Sequence, residues 1–218
     1  DFSNQWFPGQ SIDVVWNYDI QGVWQTNELE EAKKYNLRPG DYKVADVDGD
    51  HRFVDLQDKK FIGYSTPRYR LGFKNDVSFL KGFTASVFIR ADLGHIGAFR
   101  DAMNAGYGIY DRVNRPSGPV PYWTPENQNS KYPGLTANYE GFGGTLTPYE
   151  PRSFVRVQDV SLSYNLPGSA TRWLKLDNLQ VFGSVRNLFT ITKWPGWDPE
   201  SGMTPMPRTF TVGLNCSL

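Results

Sequence analysis

The stretch RYRLGFKNDVSFLKGFTASVFIRADLGH, Arg68 to His95, decides the fold. Tyr69, Leu71, Phe73, Val77 and Phe79 alternate with Arg68, Arg70, Lys74 and Asp76. After Leu80-Lys81-Gly82 the alternation resumes, with Phe83, Ala85, Val87, Ile89, Ala91 and Leu93 opposed by Thr84, Ser86, Arg90 and Asp92. A period of two is the signature of a β-strand with one apolar and one polar face. The three-residue step between the runs reads as a tight hairpin turn. The alternating segments are long, about 10 to 14 residues against a mode of ~5 to 6 for strands in soluble domains, and tilted membrane strands need ~9 to 11.

Four other segments alternate in the same way. SIDVVWNYDIQGVWQ places Ile12, Val14, Trp16, Tyr18, Ile20 and Trp24 on one face. In SFVRVQDVSLSYNLP, Val160, Leu162, Tyr164 and Leu166 share a phase that Val155 and Val157 break, so a bulge is expected near Gln158-Asp159. NLQVFGSVRNLFTI aligns Leu179, Val181, Val185, Phe189 and Ile191, and RTFTVGLNCSL aligns Phe210, Val212, Leu214, Cys216 and Leu218. Trp16, Trp24, Tyr69, Phe83, Tyr164 and Phe189 lie near segment ends, as an interfacial aromatic girdle would. The connectors are unequal: Leu80 to Gly82 is minimal and GSATRWLKLD is short, whereas residues 26–66 and 96–150 form long loops, the first with a helix-like patch NELEEAKKYN. Short turns on one side and long loops on the other fit an outer-membrane barrel. Since six strands cannot close a barrel whose minimum is ~8, this reading requires further strands upstream. The opening DFSNQW, with neither Met nor signal peptide, agrees with a removed leader or with the C-terminal part of something larger.

Composition narrows the function. The 218 residues carry 23 basic and 23 acidic side chains, which leaves no basic footprint for nucleic acid and no polybasic membrane patch. No apolar run approaches the length of a spanning helix. Cys216 is the single cysteine, so no internal disulfide forms. Catalytic motifs are missing, and the chain is not expected to be an enzyme. Asp198 and Glu200 in WDPES could act as an acid/base pair, but an Asx-Pro turn is the simpler reading.

Two patterns suggest ligands. In DVDGDHRFVDLQD, Asp46, Asp48 and Asp50 stand at positions 1, 3 and 5 of a calcium loop, with Arg52 at position 7 and Phe53 as the apolar plug. His51 replaces the usual glycine at position 6 and Gln57 stands at position 12, so Asp55 or Asp58 would have to close the site. The other reading of these residues is a solvated turn held by Asx hydrogen bonds. Residues 96–150 are crowded with aromatics. Of these Tyr110, Tyr122, Trp123 and Tyr139 are candidate ligand-binding residues, set against the alternative of loops packing on themselves.

Several stretches together resemble the SusC/RagA class of TonB-dependent outer-membrane transporters. GVWQTNELEEAKKYNLRPGDYKVADVDGDHRFVDLQDKKFIGYSTPRYRLGF resembles the late-barrel region of that family, in which an acidic GD…D-x-[ND]-G-D loop precedes an IG-x-x-x-P strand start. YWTPENQNSKYPGL resembles its WTPENP loop, SFVRVQDVSLSYNLP its S-[FY]-[LV]-R-[LV]…L-S-Y strand, and VRNLFTITKWPGWDPES its NLF…T…DPE segment. The matches occur in order and cover most of the chain. The resemblance implies an all-β fold: about six C-terminal antiparallel strands of a large, 22-stranded transmembrane barrel over residues 1–218, with extracellular loops near 26–66 and 96–150. The plug domain, the amino-terminal extension and the TonB box of the family have no counterpart here. It further implies import of oligosaccharides or peptides across the outer membrane of a Gram-negative bacterium, with a SusD-like surface lipoprotein as lid and TonB acting through the plug. Lipid-facing positions are then expected at Val87, Ile89, Val181 and Val212. The runner-up is a soluble, calcium-dependent β-sandwich that binds glycans through its loop aromatics.

Overall fold

The computed structural model describes residues 1–2, 4–100, 102, 120–142, 146–173, 175–202 and 204–217. In chain order the elements are β1 (Val14–Tyr18), β2 (Ile20–Val23), α1 (Leu29–Lys34), β3 (Tyr42–Val44), α2 (Asp55–Asp58), β4 (Lys59–Tyr64), β5 (Tyr69–Phe79) and β6 (Phe83–Leu93). There follow β7 (Ile96–Ala98), β8 (Tyr149–Pro151), β9 (Phe154–Asn165), α3 (Gly168–Trp173), β10 (Asn178–Thr192) and β11 (Thr209–Ser217). They fall into two units, Asp1–Thr66 with His95–Pro151, and Pro67–Gly94 with Arg152–Leu218. None of the described helices is long and apolar enough to cross a membrane.

The second unit is one antiparallel sheet in the order β11-β10-β9-β6-β5. The turn between β5 and β6 is the expected one. Leu80, Lys81 and Gly82 all have positive φ, and a Cβ on Gly82 would stand 2.7 Å from the Asn165 carbonyl oxygen, so only glycine fits there. The expected bulge is also present: Phe88 pairs with Asp159 and Ile89 with Val157, leaving Gln158 over. That extra residue rephases β9 and brings Val155 and Val157 onto the face of Val160 and Leu162. A second irregularity, between Arg186 and Phe189, keeps β10 in step.

Residues opposite one another in an antiparallel ladder share a face, so register sorts the whole sheet. One face reads Phe79–Phe83–Tyr164–Val181–Leu214, then Val77–Ala85–Leu162–Gly183–Val212, then Asn75–Val87–Val160–Val185–Phe210, then Phe73–Ile89–Val157–Phe189 and Leu71–Ala91–Val155–Ile191. Asn75 is the single polar residue in these rows. The opposite face carries Asp76–Ser86–Ser161–Ser184–Thr211 and Gly72–Arg90–Arg156–Thr190. The apolar face is uncovered: Leu71, Phe73, Leu162, Ile191, Phe210 and Leu214 are exposed, and Val212 is 82% exposed. Each such side chain left in water forgoes roughly 1.5–3 kcal/mol of burial. A soluble sandwich covers this face with a second sheet; among the described residues nothing does.

The first unit departs from the expected long strand at residues 11–25. That segment breaks at Asp19 into β1, which pairs with β4, and β2, which pairs with β3. All five residues of β1 are buried, including Val15 and Asn17 on the supposedly wet face. Alternation marks a half-buried strand, and Val14-Val15-Trp16 is instead a contiguous apolar run buried on both sides. Trp16 and Trp24 are therefore interior residues and belong to no girdle. Tyr69, Phe83 and Tyr164 do lie at sheet ends, and Phe79, Phe83 and Tyr164 form a ladder with ring centroids 5.7 and 4.3 Å apart. The core of the first unit gathers Tyr18, Val23, Trp24, Ala32, Leu37, Tyr42, Val44, Phe142 and Leu146. The helix-like patch forms α1, with Lys33–Glu30 and Lys34–Glu31 pairs on its surface, and stops just before Asn36, which has positive φ.

Candidate functional site

On the polar face of the sheet, Arg90 and Arg156 lie directly opposite each other on β6 and β9. Like charges in that position repel, and the β10–β11 loop supplies the counterions. Glu200 Oε2 accepts from Arg90 Nη2 at 2.6 Å and from Arg156 Nη1 at 2.8 Å. Asp198 Oδ2 accepts from Arg156 Nη2 at 2.5 Å, and Thr190 Oγ1 from Arg156 Nε at 2.9 Å. The Arg156 side chain is 1% exposed. Phe154 lies against both guanidinium groups. Arg152 adds bonds to the Pro199 and Glu200 carbonyls and stacks over Trp194.

The loop is folded to meet these arginines. Asp198 Oδ1 accepts from the Glu200 and Ser201 N–H groups at 2.8 and 3.2 Å, as an Asx turn does. The Gly202 N–H closes back on the Asp198 carbonyl at 2.7 Å. The turn reading of WDPES is thus the one observed, and both carboxylates are held in ion pairs. The hydrogen bond from Arg90 holds the Glu200 carboxyl below the usual carboxylate range, against an opposing effect of burial. Sequence reasoning did not single out Arg90, Arg152 or Arg156. The available signal was arginine at polar-phase positions of apolar strands.

In the first unit the acidic loop closes on itself. Asp46 accepts from the Gly49 and His51 N–H groups, Asp48 from Asp50, and Asp50 from Arg52. His51 has φ of 65°, so it takes the left-handed conformation that glycine usually supplies at this point. Slight burial works to raise the Asp46 carboxyl, but the bonds from His51 and Gly49 outweigh it and hold it low. Ligand oxygens of Asp46, Asp48 and Asp50 lie within 4.8 Å of one another. Asp55 and Asp58 do not join them. Asp55 accepts from the Tyr18 hydroxyl at 2.9 Å and pairs with Lys59 at 2.7 Å. Asp58 is buried and spends both oxygens on the Val47 and Val54 N–H groups, at 2.9 and 2.7 Å. The expected set of five carboxylates is therefore reduced to three, and the Asx-turn reading accounts for the bonds of the loop.

The candidate aromatics are mostly structural. Trp123 packs flat on the backbone of Gly40, whose φ is +93° and whose added Cβ would sit 2.8 Å from the ring, and its Nε1 donates to Gln25 at 3.1 Å. Tyr139 lies edge-on to the buried Tyr42, centroids 6.3 Å apart. Tyr122 is 38% exposed and bridges to Tyr132. Tyr110 lies outside the described residues. Tyr122 and Trp123 share an open cavity of about 200 Å³ with Arg38, Gly40, Gly134 and Thr136. Asp41, 1% exposed, ties its two sides together by accepting from the Arg38 and Asn138 N–H groups at 2.9 and 2.7 Å; burial pushes its carboxyl up, and these bonds oppose the shift.

No family model matches the chain. It is similar to TonB-dependent receptor P3 of Formosa agariphila, with 29% identity over 95% of this chain and 22% of that protein. To TonB-dependent receptor P26 of the same organism it is 26% identical, over 95% of this chain and 23% of that protein. The chain thus spans under a quarter of the length of these relatives. Among solved structures, the RagAB peptide transporter superposes with a TM-score of 0.67 at 20% identity, covering 93% of this chain and 22% of that one. The RagAB peptide importer in its open-open state gives 0.64 at 18% identity, covering 98% and 24%. These comparisons bear out the resemblance to TonB-dependent transporters drawn from the motifs, and with it the all-β, antiparallel, barrel-type fold.

Proposed function

We propose that this chain forms part of the wall and outer loops of an outer-membrane, TonB-dependent importer of oligosaccharides or peptides. The observation that carries the proposal is the apolar face of the five-stranded sheet, broken only by Asn75 and exposed at Leu71, Phe73, Leu162, Ile191, Phe210, Val212 and Leu214. In lipid that face is solvated by acyl chains, and the cost of exposing it disappears. The dimensions agree: the 11 residues of β5 rise about 34 Å at ~3.4 Å each, or about 26 Å across the bilayer at a ~40° tilt, against an apolar band of ~25 Å.

The polar face then lines the lumen. The turn at residues 80–82 and the α3 connection mark the periplasmic end, and the long connections between β6 and β9 and between β10 and β11 mark the extracellular end. β5 and β11 are each paired on one side only among the described residues, and further strands of the same transporter would pair with them. A SusD-like lipoprotein meets the outer loops, and TonB acts through the plug; the receptor names of the relatives and the RagAB neighbours support this assembly. RagAB is a peptide transporter, which favours peptides as cargo, while the sequence allows either class.

Uptake by cells expressing the full-length transporter tests the proposal. Import of an oligosaccharide or peptide pool is expected to stop when TonB is deleted, and a surface lipoprotein is expected to co-purify. A soluble, cooperatively folded monomer obtained from residues 1–218 alone contradicts the wall reading.

A further inference from the structure

We infer that Gly213 is the register key of the terminal strand: it is the one residue of β11 on which the ring of Phe182 can lie, and it thereby selects the observed pairing of β10 with β11 over pairings displaced by two residues. Three of the four strand pairs in the sheet have an evident cause of their alignment. The turn at residues 80–82 aligns β5 with β6, the bulge at Gln158 aligns β6 with β9, and the irregularity between Arg186 and Phe189 aligns β9 with β10. β10 and β11 have neither device. They pair from Asn178↔Ser217 to Arg186↔Thr209 without irregularity, and residues 193–208, far longer than a hairpin turn, connect them. The bonds of Arg90 and Arg156 to Glu200 and Asp198 latch that connection to the sheet, but the latch stops short of β11. Nor does the apolar pattern decide. A slip of one residue turns every side chain to the other face, but a slip of two leaves Phe210, Val212, Leu214 and Cys216 on theirs.

Phe182 belongs to the polar face, paired with Ser163 of β9 on one side and Gly213 of β11 on the other. Its ring lies across β11: a Cβ added to Gly213 would stand 2.5 Å from Phe182 Cζ, 2.7 Å from Cε1 and 3.3 Å from Cε2. Only glycine fits beneath the ring as it lies, and Gly213 is the only glycine of β11. A slip of two residues in either direction puts Thr211 or Asn215 opposite Phe182, and the Cβ of each drives the ring off the strand. The ring then surrenders its cover. In its seat Phe182 is half-buried, whereas Phe210 on the other face is 69% exposed. The seated ring also offsets the weakness that an interior glycine brings to a strand. Two hydrogen bonds agree with the same register, Asn215 Nδ2 to Gln180 Oε1 at 3.1 Å and Asn187 Nδ2 to the Pro207 carbonyl at 3.2 Å. Both are exposed, where water competes for them, whereas the seat acts by exclusion. In a barrel, β11 passes its register on to the strand that pairs with its free edge, and the stagger must match for closure. That consequence rests on the importer reading; the key itself does not.

Cys216 supplies the reporter. It is exposed and pairs with Leu179; the displaced pairing that brings Asn215 opposite Phe182 brings Cys216 opposite Val181. Full-length protein carrying Leu179→Cys or Val181→Cys is reconstituted in lipid and oxidised, and the disulfide to Cys216 is located by mass spectrometry. With Gly213 in place, Leu179→Cys is expected to cross-link and Val181→Cys to do so roughly tenfold less, since diagonal Cβ atoms lie about 7–8 Å apart against about 4.5–5.5 Å for a direct pair. Exchanging the two residues, Gly213→Asn with Asn215→Gly, moves the seat by two positions and is expected to reverse that preference. Adding Phe182→Ala to the exchange is expected to abolish the reversal. A cross-link that stays with Leu179→Cys in the exchanged protein overturns the inference, and so does a reversal that persists without the ring. If the exchanged protein fails to assemble, recovery of assembly on adding Phe182→Ala supports the key and continued failure overturns it. Uptake does not enter these readings, so the importer proposal stands or falls separately, on the uptake experiment above.

Discussion

Replacing Val212 by arginine should stop the transporter from assembling, whereas Thr211→Arg, one residue away, should be tolerated. Val212 and Thr211 sit on opposite faces of β11, paired with Gly183 and Ser184. In the barrel reading Val212 meets lipid, where arginine at the bilayer midplane costs roughly 2–4 kcal/mol and less toward the interfaces. Register adds a depth prediction. The Val87–Val160–Val185–Phe210 row lies nearer the middle of the apolar face than the row of Val212, so Val87→Arg should be the more damaging. Heat-modifiable mobility of the full-length protein reports the folded fraction. If the face instead stood bare in water, a side chain 82% exposed would tolerate substitution within about 0.5 kcal/mol.

Asp198→Ala should release the β10–β11 loop from the wall. The substitution takes the acceptor from Nη2 of Arg156, 1% exposed, while Nη1 keeps Glu200, so the loss should fall short of the ~3–5 kcal/mol that leaving a buried charge wholly unpaired costs. It also removes the acceptor of the Glu200 and Ser201 N–H groups. Asp198→Asn can keep that acceptor, but its Nδ2, a donor, then replaces the oxygen that accepts from Arg156 Nη2, so it spares the turn, loses the ion pair and should be the milder change. Faster amide exchange at residues 198–202, with the strand amides unaffected, is the expected readout. The latch should also weaken in acid. Glu200 has a folded-state pKa below its unfolded value, chiefly through Arg90, so its contribution is present above the unfolded pKa of ~4.3. It is lost as pH falls through the folded value. Exchange at 198–202 should therefore be pH-independent near neutrality, after correction for intrinsic rates, and rise below about pH 4.

The strands of the sheet were legible because a period of two is a property of the backbone. Arg68 to His95 displayed both faces and the turn, and the phase slip between Val157 and Val160 located the bulge at Gln158. The same rule failed at Val14–Tyr18, since a strand buried on both sides carries no alternation of its own. Tertiary contacts were less legible than local ones. Trp123 and Tyr139 looked like loop aromatics free to stack on a ligand, and only folding brings Gly40 beneath one and Tyr42 beside the other. Asp58 looked like a cation ligand, but two backbone N–H groups from distant points of the loop claim it. The carboxylates of WDPES were readable as a turn. Their partners were not, because Arg90 lies 110 residues from Glu200 in sequence and only the register places it beside Arg156.

Nitroxide labels placed singly at each position from 209 to 217 in the full-length protein, reconstituted in lipid, test the central claim most directly. Oxygen partitions into the bilayer and a nickel chelate stays in water, so their relative access to each label reports lipid or lumen. The account predicts a strict period of two, with Phe210, Val212, Leu214 and Cys216 reached by oxygen and shielded from nickel, and the alternate positions showing the reverse. Nickel access at every position, with no alternation, would contradict it.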